Sequence, residues 1–392
     1  MTGLNALAKS TAPSATMLAA ATATDHPDPI NMAVGEPAEP APPFLVEAAK
    51  AALDQGETRY SQAAGIAELR EALAQDQERN DGCPRPPREV LVTAGAKPAL
   101  MDALRVLLEP GDEVLIPAPF WPTFLDQALW AGGVPKVVPP GEDGIVSVST
   151  LEQAAGDRTR VLILNSPVNP SGRVLGAELM GEIAAWAAAR GLWILADQAY
   201  LHLAFDPPAP TLLSAAPQAR EKTVVVESFS KRFAMAGLRL GAAVGPAPII
   251  AAMESLVTAS STHPSTLSQH AGLAALRHGD AWVEEQRDIH RRRRDKVLET
   301  LAGIPGVEPG NPEAALYVFP EAEGLLEMRG FPDDTTFCAA LLAEEGVRIV
   351  PGSAFGQSGH LRLSYGLEDS RLEEALARIA GFAERSREVR PG

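Results

Sequence analysis

Several short runs in this chain are apolar throughout rather than at every second position: EVLVTAG, DEVLIPAP, RVLILNSP, LWILAD and TVVVESFS. A strand with one solvated face alternates, so runs of this kind belong to strands covered on both faces, as in a parallel sheet flanked by helices. Helical patterns such as GAELMGEIAAWAAARG lie between them, and the chain reads as repeated βαβ units of the α/β class. Open sheets of that kind bind ligands beyond the carboxyl ends of their strands. The positions to inspect are therefore Gly95-Ala96-Lys97, Phe120-Trp121, Asn165 to Gly172, Asp197 to Tyr200 and Ser228 to Lys231.

The 392 residues are too many for one small domain. The first 45 are rich in Ala, Thr and Pro, end in GEPAEPAPPF and read as an extended arm that also supplies part of a small domain. Residues 46–285 read as the large domain, opening on helical spacing with Gly56 and Gly82 as stops. Residues 286–392, entered through the long helix of WVEEQRDIHRRRRDKVLETLAG and ending in HLRLSYG, read as a smaller α+β domain.

With 46% hydrophobic residues, global disorder is excluded. The net charge of −16 disfavours a nucleic-acid partner, and the Arg291–Arg294 run reads as a solvated or ion-paired helix face. Nothing resembles a signal peptide, and no stretch is apolar for long enough to span a membrane. Two cysteines, Cys83 and Cys338, fit a reducing compartment, so the expected location is the cytoplasm.

Each strand end taken alone is ambiguous. Gly95-Ala96-Lys97 lies between a strand and a helical pattern, where free backbone N–H groups receive a phosphate, although an ordinary βα turn fits as well. Asp197 ends an apolar run; a buried carboxylate there needs a partner, a helix to cap or a cationic ring nitrogen. Lys231, beside Arg232 and near Arg239, is placed for a lowered pKa and imine chemistry with an aldehyde, unless its head lies in solvent. Together with an aromatic lid, these parts describe a site for pyridoxal phosphate.

The segments NSPVNPSG, SFSKRFAMAGLRLG, RYSQAAGIAELREAL, PGDEVLIPAPFWPTF and VPGSAFG…HLRLSYG resemble class I aminotransferases of fold type I, in their bacterial aspartate aminotransferase branch. The resemblance runs from about Ser10 to Phe382. It implies a mostly parallel seven-stranded sheet and a pyridoxal-phosphate enzyme. Lys231 is then the lysine that holds the cofactor as an internal aldimine and later moves the α-proton. Asp197 partners the pyridinium nitrogen, Trp121 stacks on the ring, and Asn169 and Tyr200 bind the ring hydroxyl. Ser228, Arg239 and the Gly95-Ala96 backbone, next to Lys97, hold the phosphate, with Tyr60 reaching in from a second subunit. Arg362 binds the substrate α-carboxylate, assisted by the Gly35 amide. Val168, Gln198 and Ala199 depart from the family pattern without removing a cofactor contact.

Within that branch a lysine at the Lys97 position, assisted by Pro13-Ser14-Ala15-Thr16, grips a side-chain carboxylate. The stretch near Thr258 lacks the arginine that better-known aspartate enzymes use for this. The resemblance therefore implies aspartate and 2-oxoglutarate as substrates, a ping-pong reaction, and a homodimer with shared sites. The alternatives are prephenate, aromatic or neutral amino acids, and less favourably a β-lyase. A non-enzymatic cofactor-sensing regulator is disfavoured, because the resemblance begins too close to Met1 for a DNA-binding domain.

Overall fold

The computed structural model describes residues 14–385, with positions 3, 5, 7 and 8 before them. Pro13 lies outside the described residues. The chain enters through a helix, Ala15–Ala21, and a two-residue strand, β1 (Ile30–Asn31). The expected extended arm is thus corrected: it contains this helix, and a further helix already begins at Pro43. Ala, Met and Leu favour helix intrinsically, but none of the residues from Ala15 to Ala21 is buried, so no apolar face marks the element.

Seven strands form the main sheet: β2 (Val90–Thr93), β3 (Glu113–Pro117), β4 (Val134–Val138), β5 (Thr159–Asn165), β6 (Trp193–Asp197), β7 (Thr223–Ser228) and β8 (Gly241–Val244). Their order is β2-β8-β7-β6-β5-β3-β4. β8 runs antiparallel to both its neighbours, and the remaining pairs are parallel. Successive residues of each strand face opposite cores. Leu162, Leu164, Ile194, Ala196 and Val225 pack with Leu69, Ile183 and Leu273 on one side. Val161, Ile163, Leu195, Val224 and Val226 pack with Leu100, Phe124 and Met253 on the other. Both registers are covered, which is why the runs show no alternation. Truncating one of these leucines or isoleucines to alanine costs about 2–5 kcal/mol.

The C-terminal part carries β9 (Tyr317–Val318), β10 (Val347–Arg348), β11 (Val350–Pro351) and β12 (Leu361–Ser364). β11-β12-β9 form an antiparallel sheet, while β1 and β10 pair in parallel. A third core joins Ile30 and Met32 to Val297, Leu301, Leu341, Leu361, Leu363 and Phe382. The helix Asp280–Ala302 bridges cores, giving Val283 to the first and Val297 and Leu301 to the third. In its arginine run, Arg293 is buried between Glu39 and Asp369, and Arg291 pairs with Asp206 and Asp288.

Candidate active site

The parallel strands end on one side of the main sheet, and their last residues form one wall of a cleft of about 250 Å³. β5 ends at Asn165, whose Nδ2 donates to the Asp197 carbonyl at 3.1 Å and whose Oδ1 accepts from the Asn169 backbone N–H at 2.9 Å. β6 ends at Asp197, where the Ala199 N–H donates to Oδ1 at 3.1 Å. β7 ends at Ser228, directly before the short helix Phe229–Arg232 that carries Lys231. After β2, Gly95 turns the chain at φ 99° into the helix Ala96–Leu107. A side chain would be strained there by the positive φ, and its Cβ, 2.6 Å from Arg239 Nη2, would displace the guanidinium. Arg239, itself at φ 55°, is tied by Nη1 to the Ala236 carbonyl at 2.7 Å.

The opposite wall comes from the three-stranded sheet and the N-terminal segment. Arg362 of β12 is buried, with Nη2 on the Ala33 carbonyl at 2.5 Å and Nη1 on Asn169 Oδ1 at 3.2 Å. Its guanidinium lies 4.5 Å from the Tyr317 ring centroid and 4.9 Å from that of Phe355, while Nε has no partner among the described residues. Tyr317 shares a 2.9 Å hydrogen bond with the Tyr200 hydroxyl. Gly35 accepts a hydrogen bond from Lys231 Nζ through its carbonyl, and Thr16 and Met17 close one side.

Burial sets the electrostatics. It lowers Lys231 to about 8, with Arg362, Arg239 and Lys97 adding to the effect and Glu36 opposing it. A lysine of this kind is about one-tenth neutral at pH 7, far more than an ordinary lysine. Burial raises Asp197 to about 6 against the Ala199 N–H, and no cationic side chain forms an ion pair with it among the described residues. Tyr200 is pushed well above its usual range by burial and by Tyr317. Lys97 is lowered by burial and by Arg239, and stands 4.9 Å from the Trp121 ring centroid.

The sequence-predicted residues largely meet here. Ala96, Lys97, Trp121, Asn169, Asp197 and Tyr200 line the cleft, together with Ser228, Lys231 and Arg239 on the same wall and Gly35, Arg362 and Thr16 on the other. Gly95 stands behind the lining against Arg239. Ser14 is not in the lining; its hydroxyl shares a 2.9 Å hydrogen bond with that of Thr16. Tyr60 is elsewhere, 86% exposed, with its ring edge-on to His263 at 5.7 Å. Sequence reasoning missed Tyr317, Glu36 and Met17, which also line the cleft. Tyr317 lies in LYVF, where an aromatic reads as core, and nothing local marks it.

The sheet order and the position of the cleft define the class first: this is an α/β enzyme of fold type I. The family model of aminotransferases of class I and II matches residues 27–379, and the chain belongs to that family. It is 40% identical to an aspartate aminotransferase of Streptomyces avermitilis, covering 89% of this chain and 88% of that protein. An aspartate/prephenate aminotransferase of Thermus thermophilus is 37% identical, with 97% and 98% covered. The solved aspartate aminotransferase of Thermus thermophilus with maleate superposes with a TM-score of 0.90 at 35% identity, covering 97% of this chain and all of that one. The protein is thus an aminotransferase whose substrates are amino and 2-oxo acids. No helix among the described residues is long and apolar enough to cross a membrane.

Proposed function

We propose that this enzyme exchanges an amino group between aspartate and 2-oxoglutarate in two half-reactions. The observation that carries the reading is a cation on each wall of one cleft: Arg362 from β12, and Lys97 from the helix that follows β2. A substrate with carboxylates at both ends satisfies both. Arg362 is buried, and an ion pair made to it is stronger than one at the surface.

The family works with pyridoxal phosphate, and the residues present fit it. Asp197 is a carboxylate raised to about 6 by burial, and a protonated ring nitrogen is the cation it would pair with. The bare Gly95 turn, the start of the helix at Ala96, Ser228 and the Arg239 guanidinium make a cradle for a phosphate. When bound, the cofactor supplies an aldehyde for the amine and a ring that accepts the electron pair released at the substrate α-carbon. Asp197 would hold the ring nitrogen protonated, Trp121 would stack against the ring, and Tyr200 and Asn169 would hydrogen-bond the ring oxygen. The Arg362 fork takes the α-carboxylate, with the Gly35 backbone beside it. The neutral Lys231 amine removes the α-proton and returns it one atom away.

We further infer a homodimer in which Tyr60, which faces solvent and not its own cleft, reaches the phosphate of the neighbouring site. Residues 46–285 make the large, cofactor-binding domain; 1–45 and 286–392 make the small one. Both cysteines are free and buried, in keeping with a cytoplasmic protein. Prephenate is the second reading: its side chain also carries a carboxylate, and the Thermus thermophilus relative is named for both substrates.

The test is a spectral titration of the holoenzyme with amino donors. Aspartate should bleach the cofactor's visible band at a concentration roughly tenfold or more below alanine or phenylalanine, a difference of about 1.4 kcal/mol. Bleaching by neutral or aromatic donors alone would overturn the substrate, and a protein without any visible band would overturn the role of Lys231.

A further inference from the structure

The three-stranded sheet meets the strand-end loops through Tyr317, a residue given no role above. β9 and β12 place Ser364 opposite Tyr317, so Arg362 occupies the diagonal position on the same face. The Arg362 guanidinium accordingly lies 4.5 Å from the Tyr317 ring centroid. The phenol of that ring shares its 2.9 Å hydrogen bond with Tyr200. The ring also fills the space before Gly35, where a Cβ would fall 1.6 Å from the Tyr317 hydroxyl oxygen. Tyr317 is only 2% exposed, so water replaces none of these contacts unless the cleft opens.

A guanidinium whose plane is already fixed loses less freedom when it binds a carboxylate bidentately, and an aromatic face helps to fix that plane. Nη1 and Nη2 of Arg362 are each held by one acceptor, and the Tyr317 ring at 4.5 Å, with Phe355 at 4.9 Å, restrains the remaining rotation. At its other end the Tyr317 side chain restrains the Tyr200 hydroxyl. We propose that Tyr317 is a positioning residue that sets the plane of Arg362 and the direction of the Tyr200 hydroxyl together. Substrate-carboxylate binding and the contact to the cofactor ring are thereby aligned through one side chain, which also requires glycine at position 35. The proposal rests on the roles assigned to Arg362 and Tyr200 under the proposed function.

Tyr317→Phe keeps the ring and removes the hydroxyl, whereas Tyr317→Leu removes both. Each holoenzyme is read in two ways: the pH midpoint of the cofactor's visible band without substrate, and the Kd of succinate from the change in that band. A hydroxyl donating to the ring oxygen favours its anionic form, so a weakened donor raises the midpoint. Tyr317→Phe should raise it by at least about half a pH unit while the succinate Kd stays within about twofold. Tyr317→Leu should shift the midpoint similarly and weaken succinate by at least about tenfold. If Tyr317→Leu fails to fold, Tyr317→Met fills similar volume without an aromatic face. An unmoved midpoint in Tyr317→Phe, or succinate binding equally well to both variants, overturns the proposal. A wild-type protein with no visible band after cofactor addition overturns the underlying assignment, and the proposal with it.

Discussion

The two walls of the cleft are built differently. On the main-sheet wall, Asn165, Asp197 and Ser228 are the last residues of β5, β6 and β7, strands whose interiors are covered on both faces. On the opposite wall, Arg362 and Tyr317 sit within short strands, with Leu361, Leu363 and Val318 turned into the third core. The first arrangement delivers polar groups at the point where a continuous core stops, so Asp197 and Ser228 are buried at its edge and not within it. The second lets alternation bring neighbouring side chains into the cleft, and their charges must then be stacked and hydrogen-bonded. We assign the first wall, with Lys231 and Arg239, to the cofactor, and the second to the substrate carboxylate.

This division is broken most easily at Arg362. Arg362→Leu should lower kcat/KM for aspartate by about 10²–10³-fold, roughly 3–4 kcal/mol for a lost buried charge pair. The visible band of the bound cofactor should survive; losing it would show that the walls do not act separately.

Asp197 sharpens the comparison from the other side. In the cofactor-free protein, burial holds its folded pKa at about 6 against 3.8 for an unperturbed aspartate. Raising the pKa of an acid penalises its charged form, so the penalty is complete above pH 6 and fades as the pH falls towards 3.8. It amounts to about 3 kcal/mol at pH 7.5 and less than about 1 kcal/mol at pH 4. Apo Asp197→Asn should therefore exceed apo wild type in urea resistance by about that margin at pH 7.5 and nearly match it at pH 4. With cofactor bound the order should invert at pH 7.5. A pH-independent difference between the two apoproteins would contradict this.

The main-sheet wall was legible in the sequence because doubly covered strands leave uninterrupted runs and the site lies where they end. Five of the seven runs stand out on this ground. β4 is half exposed at the sheet edge, and β8, GAAV, is too small and short to announce itself or its reversed direction. The other wall was less readable. Arg362 was found through HLRLSYG and the family resemblance. Tyr317 depends on Gly35, Tyr200 and Arg362, which are far apart in the chain and show no shared pattern. The helix Ala15–Ala21, with no buried residue, and the two-residue strands β1 and β10 leave no period to detect.

An aspartate-selective cleft stands or falls on Lys97, an exposed residue over Trp121 on the wall opposite Arg362. The most direct test is steady-state kinetics of Lys97→Met with aspartate and alanine. KM for aspartate should rise by at least about tenfold, while kcat/KM for alanine stays within about twofold. Equal losses on both substrates would show that Lys97 supports the site in general and does not read a second carboxylate.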